Sequence, residues 1–236
     1  MTEDSLALTR LLQLASPLLP VGAFSYSQGL ESAVADGSVC DAATVRRWVL
    51  DCLELGLARF EAPIVLRLQA AWTARDGNRV RYWNTRYLAS RESAELHAET
   101  VQMGYSLRRL LVDLGAESGA DGCRLRDPDL AALQEIDSLS YPASFAFAAA
   151  LWEIEPKDAL TAYLWSWTEN QVSSAMKAIP LGQVAGQRIL VAAQPVLSRS
   201  VAKAERITDD ELANLLPAVA IASARHETQY SRLFRS

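Results

Sequence analysis

Apolar positions along this chain recur at three- and four-residue spacing and show no convincing alternation. That period is helical. Leu8, Leu11, Leu12 and Ala15 form a first stripe, ended by Ser16-Pro17 and Pro20-Val-Gly22. Phe24 to Val34 predicts a second, short helix closed by Asp36-Gly37. Asp41 is a good N-cap for a long helix running to about Ala74, with Val45, Val49, Cys52 and Leu53 at helical spacing. Gly56 or Pro63 offers a point where it kinks or splits. Asp76-Gly-Asn78 predicts a turn, and Arg79 to Leu114 a helical region broken near Ser90. Residues 117–128, rich in Gly and Asp, predict a loop. Helices follow at about 128–138 and 142–153, then from Asp158 to Ile179 with Pro180 as the stop, and from Leu181 to about Ala193. Pro195 suits the N1 position of another. Thr208 or Asp209 caps a last helix whose apolar stripe continues almost to residue 236.

With no hairpin signal, few glycines and much Ala, Leu, Arg and Glu, the expected fold is all-α. No linker, low-complexity tract or fixed-period repeat interrupts it, so residues 1–236 form a single multi-helix bundle domain with short connections. The chain has 236 residues, half of them hydrophobic, and a formal net charge of −5. A core of that size needs no disulfide or metal staple. The negative balance argues against a basic nucleic-acid binder, and the apolar content against a disordered tail protein. Cys40, Cys52 and Cys123 make an odd count, which fits a reducing cytoplasm better than a disulfide framework. No signal segment opens the chain, and no run of 18 apolar residues would span a membrane.

The sequence offers no local catalytic set. Its two histidines, His97 and His226, are not at ligand spacing; His226-Glu227 starts like a zinc-protease helix, but Tyr230 stands where the second His belongs. The cysteines form no C-x-x-C. Gly182 and Gly186 make a G-x-x-x-G with no G-K-[ST] after it, which reads as close helix packing and not as a phosphate loop.

Three polar-aromatic stretches stand out instead. In Ser16 to Glu31, a Pro-bounded turn positions Tyr26, Gln28 and Glu31, either as accessible contacts or as a tight packing corner. In Tyr163 to Gln183, a helix would place Tyr163, Ser166, Asn170, Ser174 and Lys177 on one face and Leu164, Thr168, Val172, Ala175 and Ile179 opposite. Lys177 also suits a helix C-terminus, where a cation meets the dipole. In Ala224 to Ser236, a helix would put Arg225, Gln229, Arg232 and Arg235 on one side and His226, Tyr230, Leu233 and Phe234 on the other. Tyr, Phe and Arg are enriched at interface hot spots, while docking on its own core is the usual way a terminus becomes ordered.

These stretches closely resemble the urease accessory protein family UreF. The matching segments are SPLLPVGAFSYSQGLE at 16–31, RESAELHAETVQMGYSLRRLL at 91–111, YPASFAFAAA at 141–150, NQVSSAMKAIPLGQVAGQRIL at 170–190 and RHETQYSRLFRS at 225–236, in family order over nearly the whole chain. Ala23, His97 and Ala224 stand where the family pattern leads one to expect Gly, Arg and Met. The resemblance implies an all-α homodimer that binds two copies of UreD (also called UreH) and recruits the GTPase UreG. That assembly inserts nickel into apo-urease, and the family is discussed as lining a path for the metal. It implies no catalysis by this chain, no tightly bound cofactor, and nickel and GTP handled by the complex. No nucleic acid or membrane is involved.

On this resemblance the partner-binding residues are Tyr26, Glu31, Lys177, Arg225, Tyr230, Arg232 and Arg235. Arg232 and Tyr26 are expected to pair and order the tail; Lys177 and Glu31 are expected to face the GTPase. His226 is favoured as structural over a nickel contact. The alternative is a GTPase-activating helical protein that supplies Arg225, Arg232 or Arg235 to the UreG site.

Overall fold

The structure, a computed structural model, describes residues 3–117 and 127–236. Most of the predicted 117–128 loop, with Cys123, lies outside them. The described residues form eleven α-helices: α1 (Glu3–Ala15), α2 (Leu30–Ala35), α3 (Ala42–Asp51), α4 (Glu61–Thr73), α5 (Gly77–Ala89), α6 (Ala94–Glu117), α7 (Asp127–Gln134), α8 (Tyr141–Leu151), α9 (Pro156–Ala178), α10 (Gln183–Ala204) and α11 (Pro217–His226). No strand occurs among them, and none of these helices is long and apolar enough to cross a membrane.

The middle of the bundle is α8. From Pro142 to Ala149 every residue is buried, as expected of a helix that is apolar all round. It packs on α4 and α6, while α9 lies between α1 and α10. The alanines of α8 let its neighbours come close, and its polar atoms are matched: Ser144 Oγ donates to the Gly104 carbonyl at 2.9 Å, and Trp72 Nε1 to that of Ala143 at 3.0 Å. On α6, a Cβ at Gly104 would stand 2.0 Å from the Leu139 carbonyl oxygen and 2.8 Å from the Ser140 carbonyl carbon. Both are backbone atoms, so the helices would have to separate. Gly104→Ala is therefore expected to lower stability by about 2–3 kcal/mol, read as a fall in the urea midpoint at unchanged slope.

Several boundaries differ from the sequence expectation, each for a tertiary reason. Asp41 does cap α3, with a reciprocal capping box to Thr44. The long helix splits at a π segment (Cys52–Gly56) and a 3-10 turn (Leu57–Arg59) before α4. Asp76 caps α5, its side chain accepting from Arg79 N, so the expected turn opens a helix. In the first stripe Leu8 and Leu12 are exposed, while Leu14 is buried. Pro195 starts no helix: it lies inside α10, on the exposed side, where the carbonyl it leaves unbonded can meet water. Gly186 fits the packing reading, since a Cβ there would press on Met176 Sδ of α9.

Thr208 and Asp209 cap no helix. Thr208 closes a local turn with Asp210 and Glu211. Arg67 straps this stretch to α4 through Asp209 Oδ1 at 2.6 Å and the Ile207 carbonyl at 2.7 Å. The last helix begins only at Pro217 and stops at His226. Residues 227–236 run on as a non-helical tail.

Candidate functional site

The tail returns to the stretch between Gly22 and Glu31, and these two segments build one site. The expected helix from Phe24 to Val34 is replaced by a 3-10 turn (Ala23–Ser25), a kink and α2. At the kink Gln28 and Gly29 have positive φ, 54° and 82°. Gly29 serves twice there: it takes the left-handed backbone, and it leaves room for α11, whose Ser223 N would lie 3.0 Å from a Cβ. The kink exposes backbone groups that a helix would have used internally. Helix α9 takes them up: Asn170 Nδ2 donates to the Tyr26 carbonyl at 3.0 Å and Gln171 Nε2 to that of Ser27 at 3.1 Å. Trp167 Nε1 donates to Gln28 Oε1 at 2.6 Å. The polar face of α9 thus points inward, with Tyr163 and Ser174 buried. Its opposite face is buried too, because α9 lies between other helices.

The tail is held mainly by carboxylates. Glu31 accepts from Leu233 N at 2.6 Å and Phe234 N at 3.0 Å. Its Oε2 is also 3.0 Å from His226 Nε2, while Glu95 Oε2 is 2.6 Å from His226 Nδ1. Each ring nitrogen can bond a carboxylate only as N–H, so both contacts are hydrogen bonds when the ring carries two protons. The acids take opposite nitrogens and so do not converge on one point. Glu95 Oε1 accepts from Arg232 Nη1 at 2.8 Å. Ser27 N and Oγ donate to the Ser236 main-chain oxygen at 2.7 and 2.6 Å. Ser236 Oγ donates to Glu99 Oε2 at 2.7 Å, and Gln28 Nε2 to Glu99 Oε1 at 2.6 Å. Phe234 is the apolar anchor, buried beneath.

Beside the seat of the tail, and sharing Gln28 and Glu99 with it, lies a cavity of about 60 Å³ lined also by Glu61, Arg91, Tyr163 and Asn170. Burial pushes the Glu99 carboxyl up to about 7, against the hydrogen bonds from Gln28 and Ser236, which lower it. Burial likewise raises Tyr163, Tyr87 and Tyr141. Among the described residues no group of three or more His, Cys, Asp or Glu is placed to hold a metal ion.

The expected site residues distribute as follows. Arg232 does not pair with Tyr26; it bonds Glu95, and Arg235 hydrogen-bonds the buried Tyr26 hydroxyl, which burial raises. The non-helical backbone shifts the register that a helix would have imposed. Glu31 does not face outward: it is buried under the tail it anchors. Lys177 is exposed, its Nζ 5.9 Å from the Phe24 ring and 5.8 Å from that of Phe234. Arg225 reaches Asp36 at 3.4 Å on the surface. Tyr230 stands fully in solvent, with Leu233 and Phe24 also exposed. His226 is wholly buried. Sequence reasoning missed Glu61, Glu95 and Glu99. The signal for the last two was two acids one turn apart on the face of α6 that also carries Leu96, Thr100 and Met103.

The family profile for UreF matches residues 39–194. A urease accessory protein UreF of Azoarcus sp. (strain BH72) is 54% identical over 231 residues, covering 98% of this chain and 96% of that protein. Its counterpart in Dechloromonas aromatica (strain RCB) is 51% identical over 238 residues, covering 99% of this chain and 100% of the relative. A third, from Methylobacillus flagellatus, is 49% identical over 234 residues, 99% of this chain and 100% of the relative. The chain belongs to the UreF family of urease accessory proteins.

Proposed function

We propose that this protein is a cytoplasmic, non-catalytic adaptor in urease maturation. As a homodimer it binds UreD (UreH), and together they recruit the GTPase UreG, so that nickel reaches apo-urease in a GTP-dependent step. Nickel is cargo, and GTP is the partner's nucleotide. The observation that carries this reading is the outer surface of the seated tail. Tyr230 and Leu233 are exposed on the tail and Phe24 beside Lys177, with Arg232 and Arg235 also on the tail and Arg225 at the end of α11. Exposed aromatics beside arginines, on a backbone already held rigid, suit a protein interface. Glu31 and Tyr26 contribute by fixing that backbone from below. The scaffold reading is preferred over arginine insertion into the UreG site because each arginine already has a partner: Asp36, Glu95 and Tyr26.

Co-purification with UreD and UreG tests this, followed by size exclusion with light scattering. The intact chain is expected in a complex with two copies of each subunit. Tyr230→Ala with Leu233→Ala removes only exposed side chains, so folding and melting should be unchanged while UreG affinity falls about tenfold or more. Unchanged capture of UreG by that variant rules out the tail as the partner surface. An intact chain that stays alone with GTP and nickel present rules out the adaptor. Single-turnover GTP hydrolysis that the chain accelerates, and that one arginine substitution abolishes, would favour the GTPase-activating reading.

A further inference from the structure

We propose that the seat of the tail is a proton-linked latch: residues 233–236 stay docked while the Glu99 carboxyl holds a proton, and they are released when it gives that proton to water. The latch is a property of this chain alone. Only its consequence, exposure or withdrawal of the tail surface, rests on the adaptor reading.

The geometry comes first. Glu99, on α6, lines the cavity, and the tail seats on its carboxyl through Ser236, itself buried. A protonated carboxyl satisfies both neighbours: its C=O accepts from Gln28 Nε2, and its O–H donates to Ser236 Oγ, whose hydroxyl turns to suit. An ionised carboxyl in the same place keeps two hydrogen bonds but loses its water. The surroundings do not neutralise it. Glu61 on α4 adds a like charge, and Glu95 stands one turn earlier on α6. Arg91 is the nearby cation, but it is paired to Glu61 at 3.5 Å. Tyr87 on α5 and Tyr26 of the kink face the same carboxyl, and Tyr26 is the group that Arg235 bonds. His226 meets the neighbouring carboxylates Glu31 and Glu95.

The sign follows from linkage. With Glu99 raised to about 7 when the tail is seated and ordinary at about 4.3 in water, the seated state binds the extra proton. Its advantage is complete below the lower value, shrinks as pH rises between the two, and is gone above the upper one. Tail release should therefore grow about tenfold or more between about pH 5.5 and about pH 7.5.

Hydrogen exchange of the intact chain reads this directly. The amides of Leu233, Phe234 and Arg235 all donate in the seated tail. After correction for intrinsic rates, their protection is expected to fall by about that factor across the window. Glu99→Gln mimics the protonated form, an amide accepting from Gln28 and donating to Ser236, and should flatten the dependence to less than about threefold. A flat wild-type profile overturns the latch, and so does a Glu99→Gln profile as steep as wild type. A second readout needs no substitution: the 13C shift of the Glu99 carboxyl in the wild-type chain must titrate near neutrality and in step with release. Titration in the ordinary carboxylate range would also overturn the proposal.

Discussion

His226→Ala is expected to destabilise the chain by about 3 kcal/mol, the combined cost of a cavity and of buried acceptors left without a partner. The ring has no solvent exposure and lies between two acids, Glu31 at 3.0 Å and Glu95 at 2.6 Å. Removing it leaves a void at the end of α11 and two carboxylates without the N–H donors between them. The loss is no larger because neither acid is stripped bare: Glu31 keeps the Leu233 and Phe234 amides, and Glu95 keeps Arg232. Urea unfolding gives the magnitude. Hydrogen exchange gives the location, since the tail amides should lose protection before the core does. His226→Gln, whose amide N–H can reach toward Glu31, should recover about half of the loss. If His226→Ala unfolds with an unchanged midpoint, the ring is not the pin that joins α2, α6 and α11.

That pin also shows why the tail was misplaced from sequence. Apolar spacing from Leu215 onward continues a helical stripe, and nothing local forbids a helix at 227–236. What prevents it is Glu31, some two hundred residues earlier, which takes the Leu233 and Phe234 amides that a helix would have used internally. The same physics defeated the helix expected from Phe24, where Asn170 and Gln171 claim the Tyr26 and Ser27 carbonyls. Pro195 misled for a different reason: helix interruption is a local rule, and here Ala193, Val196 and Leu197 are buried on the core side while the proline faces water. Where local and tertiary demands agree, sequence was enough: the Asp41 cap, the Pro180 stop and the wholly apolar α8 all read correctly. The arginines and Tyr230 were legible as surface chemistry. The carboxylates that organise them were not, because an acid in a helical stripe is read as solvated until its partners are known.

The other large effect belongs to Glu61. Its carboxylate accepts from the Tyr163 hydroxyl, from that of Tyr87 at 3.0 Å, and from Arg91 at 3.5 Å. The Arg91 guanidinium also lies over the Tyr87 ring, 4.3 Å from its centroid. One side chain of α4 thus ties α5, the α5–α6 connection and α9 together. Glu61→Ala would leave two phenols and a guanidinium largely unpaired in the interior, and is expected to cost about 3–5 kcal/mol in urea unfolding. Glu61→Gln keeps an acceptor for Tyr163 and removes the charge, so its cost should be about half as large. It has a second consequence that a merely structural role would not produce. With the like charge gone and Arg91 deprived of its pair, the guanidinium is free to act on Glu99, and the Glu99 carboxyl should titrate below its wild-type midpoint of about 7. Tail protection should then be lost at lower pH in Glu61→Gln than in wild type. If the midpoint of release stays put while stability falls, Glu61 supports the fold but has no hand in the latch. If both move together, the buried tyrosine–carboxylate cluster and the docking of the tail share one electrostatic network.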